Sequence, residues 1–288
     1  MSTASRCSSA RCSAARASGS SGSGFFSPDG DRTGRRLRAA SPSESWRHAD
    51  VTATLSLWKQ NLGSLPESLW QRTELHVLIL ADNALTRISP QIAQLRQLHT
   101  LDLGHNELAS IPDELTELPL TKYLYLHDNQ LKQIPRSLGR LTALRYLNLG
   151  GNQLTSLPDT IGKMIGLVEL RAEHNRLTAL PESIGRLHQL RELWLRGNTL
   201  TCLPESVSDL AELRHVDLRE NALTDVPEAL AGLSRLRHLD LRSNRLHTLP
   251  NWLPELPSLE KLDLRWNNIE PAPRLLDLLA QRGCIVWT

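Results

Sequence analysis

From about residue 52 onward the chain repeats one arrangement of apolar and polar positions every 23 residues, with no slip. Asn83, Asn106, Asn129, Asn152, Asn175, Asn198, Asn221, Asn244 and Asn267 mark the period, and Gln60 holds the same place one unit earlier. Residues 98–112 read LHTLDLGHNELASIP and residues 236–250 read LRHLDLRSNRLHTLP. Within such a unit LxxLxL puts Leu101 and Leu103 on one side of a short strand and Asp102 on the other. The Asn follows where the chain must leave the strand, and its short amide can satisfy backbone groups that the turn exposes inside the coil. The Pro of LxxLP then ends the extended segment, and IxxLxxL supplies apolar residues at helix-like spacing on an opposite wall. No single unit can bury its leucines alone, so neighbouring units must stack to complete the core.

The frame LxxLxLxxNxLxxLPxxIxxLxx resembles the leucine-rich repeat and runs from roughly Thr52 to Leu276. Its LPxxI form resembles the intracellular Ras-group type. The resemblance implies an α/β fold, a curved right-handed solenoid of about ten repeats with a parallel sheet on its concave face. It also implies a protein-protein interaction module or scaffold that binds a partner protein on that face, in intracellular signal transduction. The alternative is a secreted bacterial effector that uses the same repeats to bind a host protein. Relatives of both kinds often join their repeats to ubiquitin-ligase, kinase or GTPase domains, whereas this chain ends about twelve residues after its last repeat, so no enzyme is expected.

Both ends of the repeat region depart from the frame, as the exposed ends of a stack should. The first unit is degenerate, with Gln60 for Asn and Arg72 for Leu, and the solenoid is bounded at 46–274. A cap at 275–288 follows, in which LLDLLAQRG predicts a short amphipathic helix stopped by Gly283 and CIVWT predicts a closing strand. Three interior units deviate: Thr121 and Ala172 replace frame leucines, and Ser89-Pro90 shifts the proline by one, which predicts softer packing there. Residues 1–45 hold thirteen Ser, seven Arg and five Gly, with few large apolar side chains, so they are read as a disordered tail. Their Arg-rich, acid-poor start is open to three readings: a tail with no address, an organelle transit peptide or an export leader. Localisation is expected to be cytoplasmic, with targeting through that tail as the alternative.

Charge and chemistry narrow the function further. The tail carries seven Arg against three acidic residues, a local +4, which leaves the rest with 26 basic and 28 acidic side chains. A near-neutral solenoid gives no reason to expect nucleic acid. Cys7, Cys12, Cys202 and Cys284 are too few and scattered for a disulfide framework and show no metal-ligand spacing. No apolar run is long enough for a membrane span. Phosphate-binding, zinc-protease and nucleophile-elbow motifs are lacking. The ten histidines are scattered through the sequence and read as surface residues, so no cofactor, metal or catalytic residue is expected, and the chain is taken as a monomer.

The residues between and beside the frame leucines are not needed for the core, and aligning them shows what the strand face offers a partner. All three tyrosines, Tyr123, Tyr125 and Tyr146, fall there in two neighbouring units, with Trp194 two units on, in a chain only 4% aromatic. Tyr, Trp and Arg are the side chains that anchor protein interfaces. A column of Arg196, Arg219, Arg242 and Arg265 runs beside Asp217, Asp240 and Asp263; the two columns either neutralise each other or form a polar rim. The candidate partner-binding set is therefore Tyr123, Tyr125, His127, Tyr146, Arg171, Trp194, Arg196, Arg219 and Arg242.

Overall fold

The computed structural model describes residues 53–288; the expected tail at 1–45 and the start of the solenoid at 46 lie outside the described residues. Ten three-residue strands recur at the 23-residue period, from β1 (Thr54–Ser56) and β2 (Val77–Ile79) through β3 (Thr100–Asp102), β4 (Tyr123–Tyr125), β5 (Tyr146–Asn148), β6 (Glu169–Arg171), β7 (Glu192–Trp194), β8 (His215–Asp217) and β9 (His238–Asp240) to β10 (Lys261–Asp263). An eleventh, β11 (Ile285–Trp287), closes the series. All eleven form one sheet in sequence order. Every pairing is parallel, and from β1 to β10 each residue lies beside its equivalent one period away, as Tyr123 does beside Tyr146. The frame leucines point inward: Leu101, Leu124, Leu147, Leu170 and Leu193 are all fully buried.

Each coil returns along a wall of short 3-10 turns, several of them entered through the proline of LxxLP, as in Asp159–Lys163 after Pro158. These turns stack so closely that a Cβ on Gly162 would lie 2.2 Å from the carbonyl oxygen of Ser183. Hence the SIGRL-type units carry glycine at this place. In the first turn the equivalent position is the buried Trp70.

The asparagines hold the coils together from within. Asn152 donates through Nδ2 to the carbonyls of Leu126, Leu149 and Gly150, and the Leu131 amide donates to Oδ1 of Asn152 at 3.0 Å. The same pattern recurs from Asn83 to Asn267. One amide thereby satisfies its own turn and the backbone of the preceding coil, which a buried Leu would leave unpaired. The residue just before each Asn takes a left-handed conformation, for example Asp82 at φ 58°, His105 at 50°, Asp128 at 49° and Gly151 at 62°. Asp, His and Gly tolerate that region better than branched residues.

The interior deviations resolve individually. Thr121 is exposed, and Leu120 one residue earlier is buried in the core. Ser89 accepts from the Gln91 amide at 3.3 Å and so caps the turn whose proline is displaced to 90. Ala172 is fully buried in its shortened position. At the C-terminal end the predicted helix is α1 (Pro273–Gln281), and Gly283 follows at φ 80°. It buries Leu279, its following Arg282 donates through Nη2 to the Leu256 carbonyl at 2.8 Å, and β11 pairs with β10, so helix and strand close the last coil.

Replacing Asn152 by Ala leaves the buried Leu131 amide without a partner and removes one of two bonds from each of the Leu126, Leu149 and Gly150 carbonyls, so the loss should be about 1–3 kcal/mol. Chemical denaturation of Asn152→Ala against the unmodified chain checks this, with Gln130→Ala, at an exposed position, shifting the midpoint little.

Candidate protein-binding face

Because the strands stay in register, side chains that alternate away from the leucines form continuous columns across the sheet. Along these columns the face changes character. At β4 and β5 it is aromatic. Tyr125 and Tyr146 lie with ring centroids 5.0 Å apart, Tyr123 and Tyr146 at 5.5 Å, and Tyr123 and Tyr125 stack at 5.9 Å. Tyr123 is the most open of the three, at 44% exposure. His127 joins the edge of the group, 5.9 Å from Tyr125. Burial among neighbouring rings pushes the Tyr146 phenol up to about 12, with the positive charge of Arg171 partly opposing, and raises Tyr125 for the same reason of burial. Burial also lowers His127 below a free imidazole, with the charges of Asp102 and Asp128 opposing.

At β6 and β7 the face becomes acidic around one guanidinium. Arg171 donates through Nε to Glu169, lies 3.6 Å from Glu173 and stacks over the Trp194 ring with its Cζ 4.5 Å from the centroid. The other flank of Trp194 is taken by His215, stacked at 4.1 Å, and its Nε1 donates to Glu192 at 3.2 Å. Trp194 is therefore held rigidly between a cation and an imidazole. Burial raises the Glu173 carboxyl and lowers His215, whose buried Nε2 has no hydrogen-bond partner.

From β8 onward the Arg and Asp columns interlock. Arg219 donates to both carboxylate oxygens of Asp217 and sits 3.4 Å from Asp240; Arg242 does the same with Asp240 and lies 3.2 Å from Asp263; Arg265 completes the run on Asp263. Asp217 is only 1% exposed and Asp263 6%. Burial alone would raise Asp263, but hydrogen bonds from Arg265 hold it below the usual carboxylate range. Two-sided pairing at this burial neutralises the strip and ties its coils together. Arg196 stands apart, because it reaches across to Glu220 at 2.7 Å instead of joining the Asp column.

The coiling thus gathers Tyr123, Tyr125, His127 and Tyr146 into one group and joins Arg171 and Trp194 in a second. Arg219 and Arg242 belong to the internal ladder, and Arg196 bridges to Glu220. Glu169, Glu173, Glu192 and His215, which are not in the candidate set, are brought around Arg171 and Trp194 by the strand register. The histidines, scattered in sequence, are folded into contact: His76 with His99 at 5.6 Å, His105 with His127 at 4.8 Å and His215 with His238 at 5.5 Å.

The profile described as Leucine rich repeat matches residues 96–154, 165–223 and 212–269, more than half of the chain, and that of Leucine Rich repeats (2 copies) matches 73–118. The chain belongs to the leucine-rich-repeat family. Among solved structures this leucine-rich-repeat chain is similar to a leucine-rich-repeat protein of Leptospira interrogans, at 30% identity and TM-score 0.64, covering 78% of this chain and 69% of that one. It is also similar to the Arabidopsis thaliana receptor kinase HAESA, solved with the peptide hormone IDA and the co-receptor SERK1, at 31% identity and TM-score 0.67 over 75% of this chain and 38% of that one. The ectodomain of the Arabidopsis receptor kinase GASSHO1/SCHENGEN3, solved with CASPARIAN STRIP INTEGRITY FACTOR 2, gives 31% identity and TM-score 0.65 over 74% of this chain and 27% of that one. The chain thus spans well under half of either plant receptor chain. No curated protein sequence matches it. Among the described residues no helix is long and apolar enough to cross a membrane.

Removing Arg219 leaves the buried carboxylate of Asp217 without its bidentate partner. Arg219→Met should cost about 1–3 kcal/mol, below the full penalty for breaking a buried pair because the guanidinium is partly solvated. A urea titration of the variant reads this directly, and a midpoint unchanged from the parent chain would show the ladder to be structurally idle.

Proposed function

We propose that this protein is a non-catalytic interaction module of the Ras-group type. In this reading it binds a partner protein through the exposed face of its sheet, inside the cell and in a signalling context. The observation that carries the reading is the cluster of Tyr123, Tyr125 and Tyr146, whose rings pack against one another on the outward face of the sheet. Rigid amphipathic rings bury much area on binding at small entropic cost, and aromatic anchors of this kind carry most of the energy of protein interfaces.

The rest of the candidate set is assigned around that cluster. His127 extends the aromatic surface, and Trp194, fixed between Arg171 and His215, offers a preorganised edge two coils further on. Arg196 provides a polar rim. Arg219 and Arg242, bound into the Asp ladder, set the limit of the contact surface and contribute less than the aromatics, since a partner would have to compete with bidentate carboxylates for their donors. The similar structures solved with CASPARIAN STRIP INTEGRITY FACTOR 2, and with the peptide hormone IDA and the co-receptor SERK1, support a recognition role for repeats of this kind. An intracellular setting is supported by the number and spacing of the four cysteines, which fit no disulfide framework. The unbroken 23-residue LPxxI frame supports the Ras-group assignment.

Affinity capture on the full chain, followed by binding measurements with each purified candidate, tests the proposal. Tyr125→Ala and Trp194→Ala should each weaken the partner's affinity by about tenfold or more, the equivalent of about 1.4 kcal/mol, in variants that circular dichroism shows to be folded. Affinity unchanged in both variants would move the contact surface off this face.

A further inference from the structure

Next to the tyrosines lies a group of side chains whose chemistry is that of metal ligands. His105 and Asp128 occupy the same position in successive coils, the left-handed residue before the Asn, with φ of 50° and 49°. Their side chains therefore leave adjacent coils side by side, and Nδ1 of His105 lies 3.4 Å from Oδ2 of Asp128. His127, one residue before Asp128, presents its ring to that of His105 edge-on, with centroids 4.8 Å apart and planes at 80°. One donor atom from each of the three lies within 4.8 Å of the others; among the described residues no other set of three or more His, Cys, Asp or Glu converges this closely.

Two further observations set this group apart from a chance surface cluster. The Nδ1 atom of His127 is buried and has no hydrogen-bond partner, which is costly for an imidazole nitrogen unless something else occupies its lone pair or takes its proton. The flanking residues are both glycine, and both leave room for the ligand side chains. A Cβ on Gly104 would lie 2.2 Å from Cε1 of His127, and one on Gly151 would lie 2.1 Å from Oδ1 of Asp128.

We propose that His105, His127 and Asp128 form a binding site for a divalent transition-metal ion of the zinc class. Two imidazoles with one carboxylate favour such an ion over calcium or magnesium, which take all-oxygen shells. Metal-nitrogen and metal-oxygen bonds of about 2.0–2.2 Å place tetrahedral donors roughly 3.3 Å apart. The present separations need side-chain adjustments of about 1 Å to reach that spacing, which the exposed side chains of His105 and Asp128 allow. Three protein ligands leave the fourth position to water. No short sequence motif announces the site because its ligands meet only through the 23-residue coil.

Isothermal titration of the metal-stripped full chain with zinc chloride near neutral pH is the test. The expected result is one saturable zinc site that His127→Gln and Asp128→Asn each weaken by at least about tenfold, while His247→Gln, at an exposed position elsewhere, leaves it unchanged. Equal urea midpoints of the metal-free proteins show that the variants fold, and His105→Gln, at an exposed ring, serves as a further ligand variant if one of them does not. Absence of saturable zinc binding, or zinc binding undiminished by the ligand substitutions, would overturn the proposal. Saturable calcium binding in place of zinc would overturn its metal class.

Discussion

The structure depends on the need of a turning backbone for hydrogen-bond partners in a place water cannot reach. Each coil must leave its strand through a tight, left-handed step, and the carbonyls and amides around that step point into the stack. The Asn amide answers with donors to three carbonyls and an acceptor for an amide one coil back, as at Asn152. Because that bridge spans neighbouring coils, it fixes their spacing and relative register together. An inserted or deleted residue between two asparagines would carry one end of the bridge away, which accounts physically for the unbroken period.

Register in turn makes the face. With every strand aligned to its equivalents, one substitution per coil becomes a column, and columns become surfaces with their own chemistry. The C-terminal part uses this to build an ion-pair ladder in which each of Arg219 and Arg242 touches two aspartates, so adjacent coils share charges as well as core. Such a strip is self-contained. The part around β4 to β7 is different: tyrosines lie packed on one another with one ring open to solvent, and Trp194 is held stiffly by its neighbours. Rigidity before contact lowers the entropic cost of binding, and this is the physical basis for placing the partner there.

Much of this was legible in the sequence because the relevant information is periodic. The asparagines fixed where each coil turns, the leucine alternation placed the strands, and LLDLLAQRG and CIVWT foretold α1 and β11. The tyrosine cluster also followed from column alignment. What escaped were relations that depend on side-chain direction between coils. The pairing of histidines 22 or 23 residues apart, the enclosure of Trp194 by Arg171 and His215, and the departure of Arg196 towards Glu220 are rotamer choices that the repeat pattern does not specify. Thr121 was read as a loss of packing, whereas the backbone shifts enough for Leu120 to fill the core.

Photo-crosslinking tests most directly whether the strand face is the contact surface. A photoreactive residue would be placed at position 123 on that face and, separately, at the exposed position 163 on the 3-10 wall, and each protein irradiated with a purified partner. The account predicts a covalent adduct through position 123 and none through 163. Adducts through 163 with none through 123 would contradict it.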